Sequence, residues 1–161
     1  FRELYKDVCS SDSEGEDKYR RSVYTFLKRT SPYPSFISFD AGSREVCLSK
    51  RLVTNTPLQA LATLNDPVYL DAAKSLSQKV WVESGKNPEV AIKKVYQQLL
   101  LLPISDSKKK SMMQLFATAK LEFEKDPKAR ADFFQGADAG LAALAVTTNA
   151  MMNLDEFLTK P

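Results

Sequence analysis

Asp40, Ser43, Arg44, Glu45, Arg51, Asn55 and Asp66 are the side chains of this sequence whose types and spacing could do chemistry together. An arginine guanidinium, Arg44 or Arg51, holds an anion or a sugar-like ligand through its forked N–H donors, and paired carboxylates such as Asp40 and Asp66 exchange protons. The same groups suit a second task. Irregular backbone entering helices leaves N–H and C=O groups without partners, and charged side chains beside them must be paired when buried. The structural network is the preferred reading, and a ligand site lined by Arg44, Arg51, Asp40 and Asp66 is the alternative.

Other chemistries are narrowed by what the chain lacks. It contains no histidine, which removes the commonest general base and the commonest transition-metal ligand from its inventory. A covalent haem needs a Cys-x-x-Cys-His run, which is therefore absent. The five glycines, Gly15, Gly42, Gly85, Gly136 and Gly140, are scattered and form no phosphate-cradling loop. No nucleophile elbow and no zinc spacing is present. Asp12, Glu14 and Glu16 alternate as in a calcium loop, but Gly15 is misplaced and the distal glutamate has no counterpart in register. Neither a metal nor a cofactor is expected on this chain. Cys9 and Cys47 are either paired or buried thiols, and the fold is not expected to need them.

Positioning those groups falls to a mostly helical domain. The 161 residues, 43% of them hydrophobic, suit one domain that buries roughly 70% of its unfolded surface. Basic and acidic residues nearly balance, 23 against 20, so nucleic acid is not an expected partner. No apolar run reaches the roughly 18 residues of a membrane span. Residues 1–18 read as a polar lead-in. Tyr19, Val23, Phe26 and Leu27 then recur at helical spacing, predicting a helix over residues 19–29 with Arg20, Arg21, Lys28 and Arg29 on a solvated face. Pro32 and Pro34 break it. Residues 35–39 read as an extended piece, and short strands are allowed there and across residues 44–53.

Helix starts are spelled out by a repeated device, an oxygen-bearing cap followed by proline. Thr56-Pro57 with Gln59 three residues on makes a capping box. Asp66-Pro67 ends that short helix and starts a longer one with Val68, Ala72, Leu76, Val80 and Trp81 inside. Asn87-Pro88 opens a helix burying Ala91, Val95, Leu99 and Leu102. Ser105 caps the next, with Met112, Phe116 and Phe123 inside, and Asp126-Pro127 leads to Phe133 and Phe134. A final helix is predicted over residues 137–152, with Leu141, Leu144, Ala145, Thr148 and Met152 in one stripe, then a last turn docked through Phe157 and Leu158. The fold class is all-α, an irregular orthogonal bundle with one extended polar segment packed against it.

The runs Phe39-Asp40-Ala41-Gly42-Ser43-Arg44-Glu45-Val46-Cys47, Thr54-Asn55-Thr56-Pro57-Leu58-Gln59-Ala60-Leu61 and Leu64-Asn65-Asp66-Pro67, with Tyr19-Arg20-Arg21-Ser22 before and Leu154-Asp155-Glu156-Phe157 after, resemble the C-terminal domain of unknown function of planctomycete-type cytochrome-associated proteins. The loop Leu102-Pro103-Ile104-Ser105 departs from the glycine- and proline-rich character expected there. The resemblance implies an exported bacterial multidomain parent, periplasmic or otherwise extracytoplasmic, of which this chain is the C-terminal part. It also implies that any haem sits on another domain and that upstream domains are the partners. It carries over no catalytic residue. The expected function is a non-catalytic structural or interaction module that docks on those domains or on a polysaccharide-like ligand. The alternative is part of a carbohydrate-active or redox enzyme whose site is shared with the domains upstream.

Overall fold

The computed structural model describes residues 24, 34–42, 49 and 54–159. Among them the chain runs through eight helices: α1 Pro34–Ser38, α2 Pro57–Asn65, α3 Pro67–Glu83, α4 Pro88–Leu100, α5 Asp106–Lys125, α6 Pro127–Phe133, α7 Ala139–Met151 and α8 Asp155–Leu158. The architecture is all-α, and no strand occurs among the described residues. The helix predicted over residues 19–29, of which Tyr24 alone is described and exposed, lies outside them. So do Cys9, Cys47 and most of the segment over residues 43–53.

Local chemistry explains where the helices begin. Proline occupies the start of α2, α3, α4 and α6, where its missing N–H leaves no hydrogen bond unmade and its fixed φ already suits the helix. The residue before it supplies the cap. Thr56 Oγ1 accepts from Gln59 N at 3.4 Å while Gln59 Oε1 accepts from Thr56 N at 3.0 Å. Asp66, Asn87 and Asp126 accept from the first backbone amides of α3, α4 and α6. Ser105 does the same for α5 and Asp138 for α7. Each such cap stabilises its helix by about 1 kcal/mol.

The structure departs from the sequence pattern in four places. Residues 35–39, expected to be extended, instead lie mainly in α1, because Pro34 restrains its predecessor rather than its followers and a short alternation cannot decide between helix and strand. Asp40 closes α1 in the left-handed region at φ 55°, which a short polar side chain tolerates. The inner face of α3 is Ala73, Ser77, Val80 and Trp81, not the face of Val68 and Ala72, which are exposed. Helix α4 stops at Leu100, so Leu102 is outside it and exposed, with Ile92, Tyr96 and Leu100 buried in its place. Finally, α7 has no single stripe. Ala142, Ala143, Leu144, Ala145, Thr147, Thr148 and Asn149 are all buried, because α2, α3, α4, α5 and α6 all pack on it.

The apolar core forms where α3, α4, α5 and α7 meet, with Val80, Trp81, Ile92, Val95, Tyr96, Phe116, Leu144 and Met151 at its centre. Trp81 meets Phe116 at 6.2 Å between ring centroids. The edge of its indole comes so close to α7 that a Cβ built on Gly140 would stand 2.6 Å from Trp81 Cζ2. Phe133 of α6 stacks on Phe123 of α5 at 5.5 Å, and Lys74 Nζ sits 4.9 Å above the Phe133 ring.

Gly140→Ala therefore sets two effects against each other. Gly140 is in the first turn of α7, where the preference for alanine over glycine is at most the roughly 1 kcal/mol of a helix interior, whereas forcing a methyl against a rigid buried ring costs about 1–3 kcal/mol. The clash is expected to win, lowering the thermal unfolding midpoint, and an unchanged or raised midpoint would contradict the packing. At the end of α4 the sign reverses. Leu101 is held at φ 59° with 80% of its surface exposed, so Leu101→Gly relieves a left-handed leucine and is expected to raise stability by up to about 1 kcal/mol in urea unfolding.

Candidate functional site

The polar residues singled out from the sequence separate into distinct hydrogen-bonding groups. Asp40 turns back onto the entrance of α2, where its Oδ2 accepts from Thr54 N at 2.9 Å, Thr54 Oγ1 at 2.6 Å and Gln59 Nε2 at 3.4 Å. Asn55 reaches the opposite end of the chain, its Nδ2 donating to Asp155 Oδ1 at 2.7 Å. Asp66 lies at the far end of α2, with Oδ1 accepting from Val68 N at 2.8 Å. A helix of nine residues spans about 13 Å, so Asp40 and Asp66 are a helix length apart and do not share a proton. Ser43, Arg44, Glu45 and Arg51 lie outside the described residues. The remaining cap residues are engaged as well: Asn87 Oδ1 accepts from Glu89 N and Val90 N, and Asp126 Oδ1 from Lys128 N and Ala129 N.

Two polar constellations were not read from the sequence. The first is buried between α2, α3 and α7. Thr63 Oγ1 bonds to Asn153 Oδ1, Asn153 Nδ2 donates to Asn149 O at 3.1 Å, and Asn149 Nδ2 donates to Leu64 O at 3.2 Å. Ser77 and Thr148 share a hydroxyl–hydroxyl bond of 2.8 Å beside them. Asn149 Oδ1 is buried with no hydrogen-bond partner among the described residues. The only sequence signal was the clustering of Thr147, Thr148 and Asn149 within an otherwise apolar helix.

The second holds α8 on the bundle. Glu156 accepts from the hydroxyl of buried Tyr96 at 2.9 Å through Oε2 and from Lys108 Nζ through Oε1. The hydrogen bond from Lys108, then that from Tyr96, keeps the Glu156 carboxyl below its ordinary range. The same bond to Glu156 raises Lys108, and burial, followed by the Glu156 hydrogen bond, raises Tyr96. A similar pair, Lys109 with Glu89, joins α5 to α4, its hydrogen bond lowering Glu89 and raising Lys109. Burial also raises Tyr69, with the Asp66 charge adding to it. These are ties between helices.

Among the described residues no three metal-ligating side chains come together, and none of the helices is long and apolar enough to cross a membrane. The residues of the chain do not fit a covalently attached haem, for want of histidine. Residues 2–116 match the PSD1 family, described as a protein of unknown function (DUF1553). The chain belongs to this family. The PSD1 match takes in the cap-proline words at Thr56 and Asp66 and ends at Phe116 within α5, so α7 and the tie through Glu156 lie beyond it. No curated protein and no solved structure matches the chain.

The Glu156 tie has a defined acid limit. A carboxyl held below its ordinary value of 4.5 contributes stability that is present above the unfolded pKa and is lost as pH falls through the folded pKa. The difference in urea midpoint between the wild type and Glu156→Gln is therefore expected to be constant near neutral pH and to shrink as pH falls below about 4.5. A difference that persists undiminished into acid would show that the tie does not depend on ionised Glu156.

Proposed function

We propose that this chain is a non-catalytic structural and interaction module that docks on the polypeptide preceding it in the same parent protein. One observation supports this reading best. Helix α2 is inside out: Leu58, Leu61 and Leu64 are 59%, 58% and 44% exposed, while Gln59 and Thr63 are 2% and 0% exposed. An amphipathic helix on the surface of a self-sufficient domain buries its apolar stripe. A row of leucines facing outward, with Val68 beyond it, is the surface expected of a helix that meets another protein surface.

The preceding polypeptide is the occupant favoured by the chain's own path. The chain reaches α2 from α1, which packs on it and itself exposes Ile37. Exposed apolar side chains thus lie on both of the first two described helices, Ile37 on α1 and Leu58, Leu61 and Leu64 on α2, the helices nearest in sequence to the polypeptide that precedes them. The carboxylates that would serve an enzyme are engaged elsewhere, Asp40 on Thr54 and Gln59 and Asp66 on Val68. The resemblance to planctomycete-type cytochrome-associated proteins supports an exported bacterial parent with a cytochrome c-like domain elsewhere.

The test mixes this chain with the separately expressed upstream part of its parent and measures binding by calorimetry. Fully burying a leucine stabilises by about 1.5–3 kcal/mol, so Leu58→Gln with Leu61→Gln is expected to weaken binding more than tenfold. The stability of the chain alone should change by less than about 0.5 kcal/mol per site. Binding that is unaffected, or a chain that pairs with itself through this face in sedimentation, would defeat the assignment of the occupant.

A further inference from the structure

We infer that α2 is a detachable clip, a helix that swings off α3 and α7 as a unit while the rest of the bundle stays folded. The inference concerns the inner face of the helix and stands whether or not its outer face docks on a partner. The apolar core of the described residues contains no side chain from α2. What enters the protein from α2 is Gln59 and Thr63, and what holds them is a set of hydrogen bonds: Thr63 to Asn153, Asn149 to the Leu64 carbonyl, Gln59 to Asp40, and Asn55 just before the helix to Asp155. Water replaces each of these on opening, so each contributes little net stability. Apolar burial, which water cannot replace, resides in α3, α4, α5 and α7. The seat is also imperfect, since Asn149 Oδ1 is buried without a partner among the described residues and gains one from solvent when α2 lifts.

The junction suits such a movement. Asp66 has extended backbone, φ −68° and ψ 127°, so the helical hydrogen-bond ladder does not run continuously from α2 into α3. The start of α3 is secured from within, by Asp66 Oδ1 accepting from Val68 N and the Asp66 carbonyl accepting from Leu70 N at 3.1 Å. Lifting α2 leaves both bonds intact. Segments of this kind, with few buried apolar contacts, open at free energies below that of global unfolding.

Native-state hydrogen exchange on the whole chain tests this at increasing sub-denaturing urea. Amides bonded within α2, such as Asp66 N to the Ala62 carbonyl, are expected to exchange at least 100-fold faster than those of α7 after correction for intrinsic rates, with a weaker dependence on urea. Thr63→Val removes the hydroxyl that meets Asn153 and should accelerate α2 exchange about tenfold without altering α7, and Thr63→Ser should restore it. Equal protection and equal urea dependence in α2 and α7 would overturn the inference, as would a Thr63→Val effect felt equally by both helices. The wild-type measurement decides by itself if the valine variant does not fold.

Discussion

The bare backbone of Gly140 under the indole of Trp81 sets how closely α3 and α7 approach, and α2, α4, α5 and α6 pack on the same α7. With no Cβ at Gly140 the ring edge lies where a methyl would stand. The alanines that follow on α7, Ala142, Ala143 and Ala145, are all buried and let several neighbours approach the same helix. Close approach favours small side chains, and where these are hydroxylic they must pair, as Ser77 and Thr148 do. The arrangement leaves the Trp81 indole N–H buried with no hydrogen-bond partner among the described residues. The ring is used for its area and shape rather than for its donor.

Because α7 is surrounded, its polar residues decide what can lie against it. Thr148 and Asn149 meet polar partners, Ser77 and the Leu64 carbonyl, and α2 accordingly presents Gln59 and Thr63 to the interior. Its leucines are left on the outer side. The same constraint thus connects the central packing of the bundle with the surface on which a docking role rests: a polar flank on the central helix selects a polar inner face on α2, and the helical period puts the apolar residues outside.

Much of the local framework was legible because it depends on a few adjacent residues. Thr56-Pro57 with Gln59, Asp66-Pro67, Asn87-Pro88, Ser105 and Asp126-Pro127 mark helix starts whose geometry is set within four residues of the cap. The density of charged groups between Asp40 and Asp66 was legible too, but not its use. A carboxylate looks the same in a sequence whether it faces a ligand or a backbone amide. Only the placement of Asp40 and Asp66 at opposite ends of α2 separates them.

What the sequence by itself determined is an all-α fold in which α2, α3, α4 and α6 begin where an oxygen cap meets a proline, because these are short-range effects of backbone geometry and hydrogen bonding. Tertiary structure alone decided that residues 35–39 lie largely in a helix rather than a strand, that Ala73 and Ser77 rather than Val68 and Ala72 form the inner face of α3, and that Glu156 fastens α8 to Tyr96 and Lys108. Each of these depends on partners far away in the chain. A period of 3.6 residues shows that a helix has faces, but which face is inside depends on the neighbour it meets.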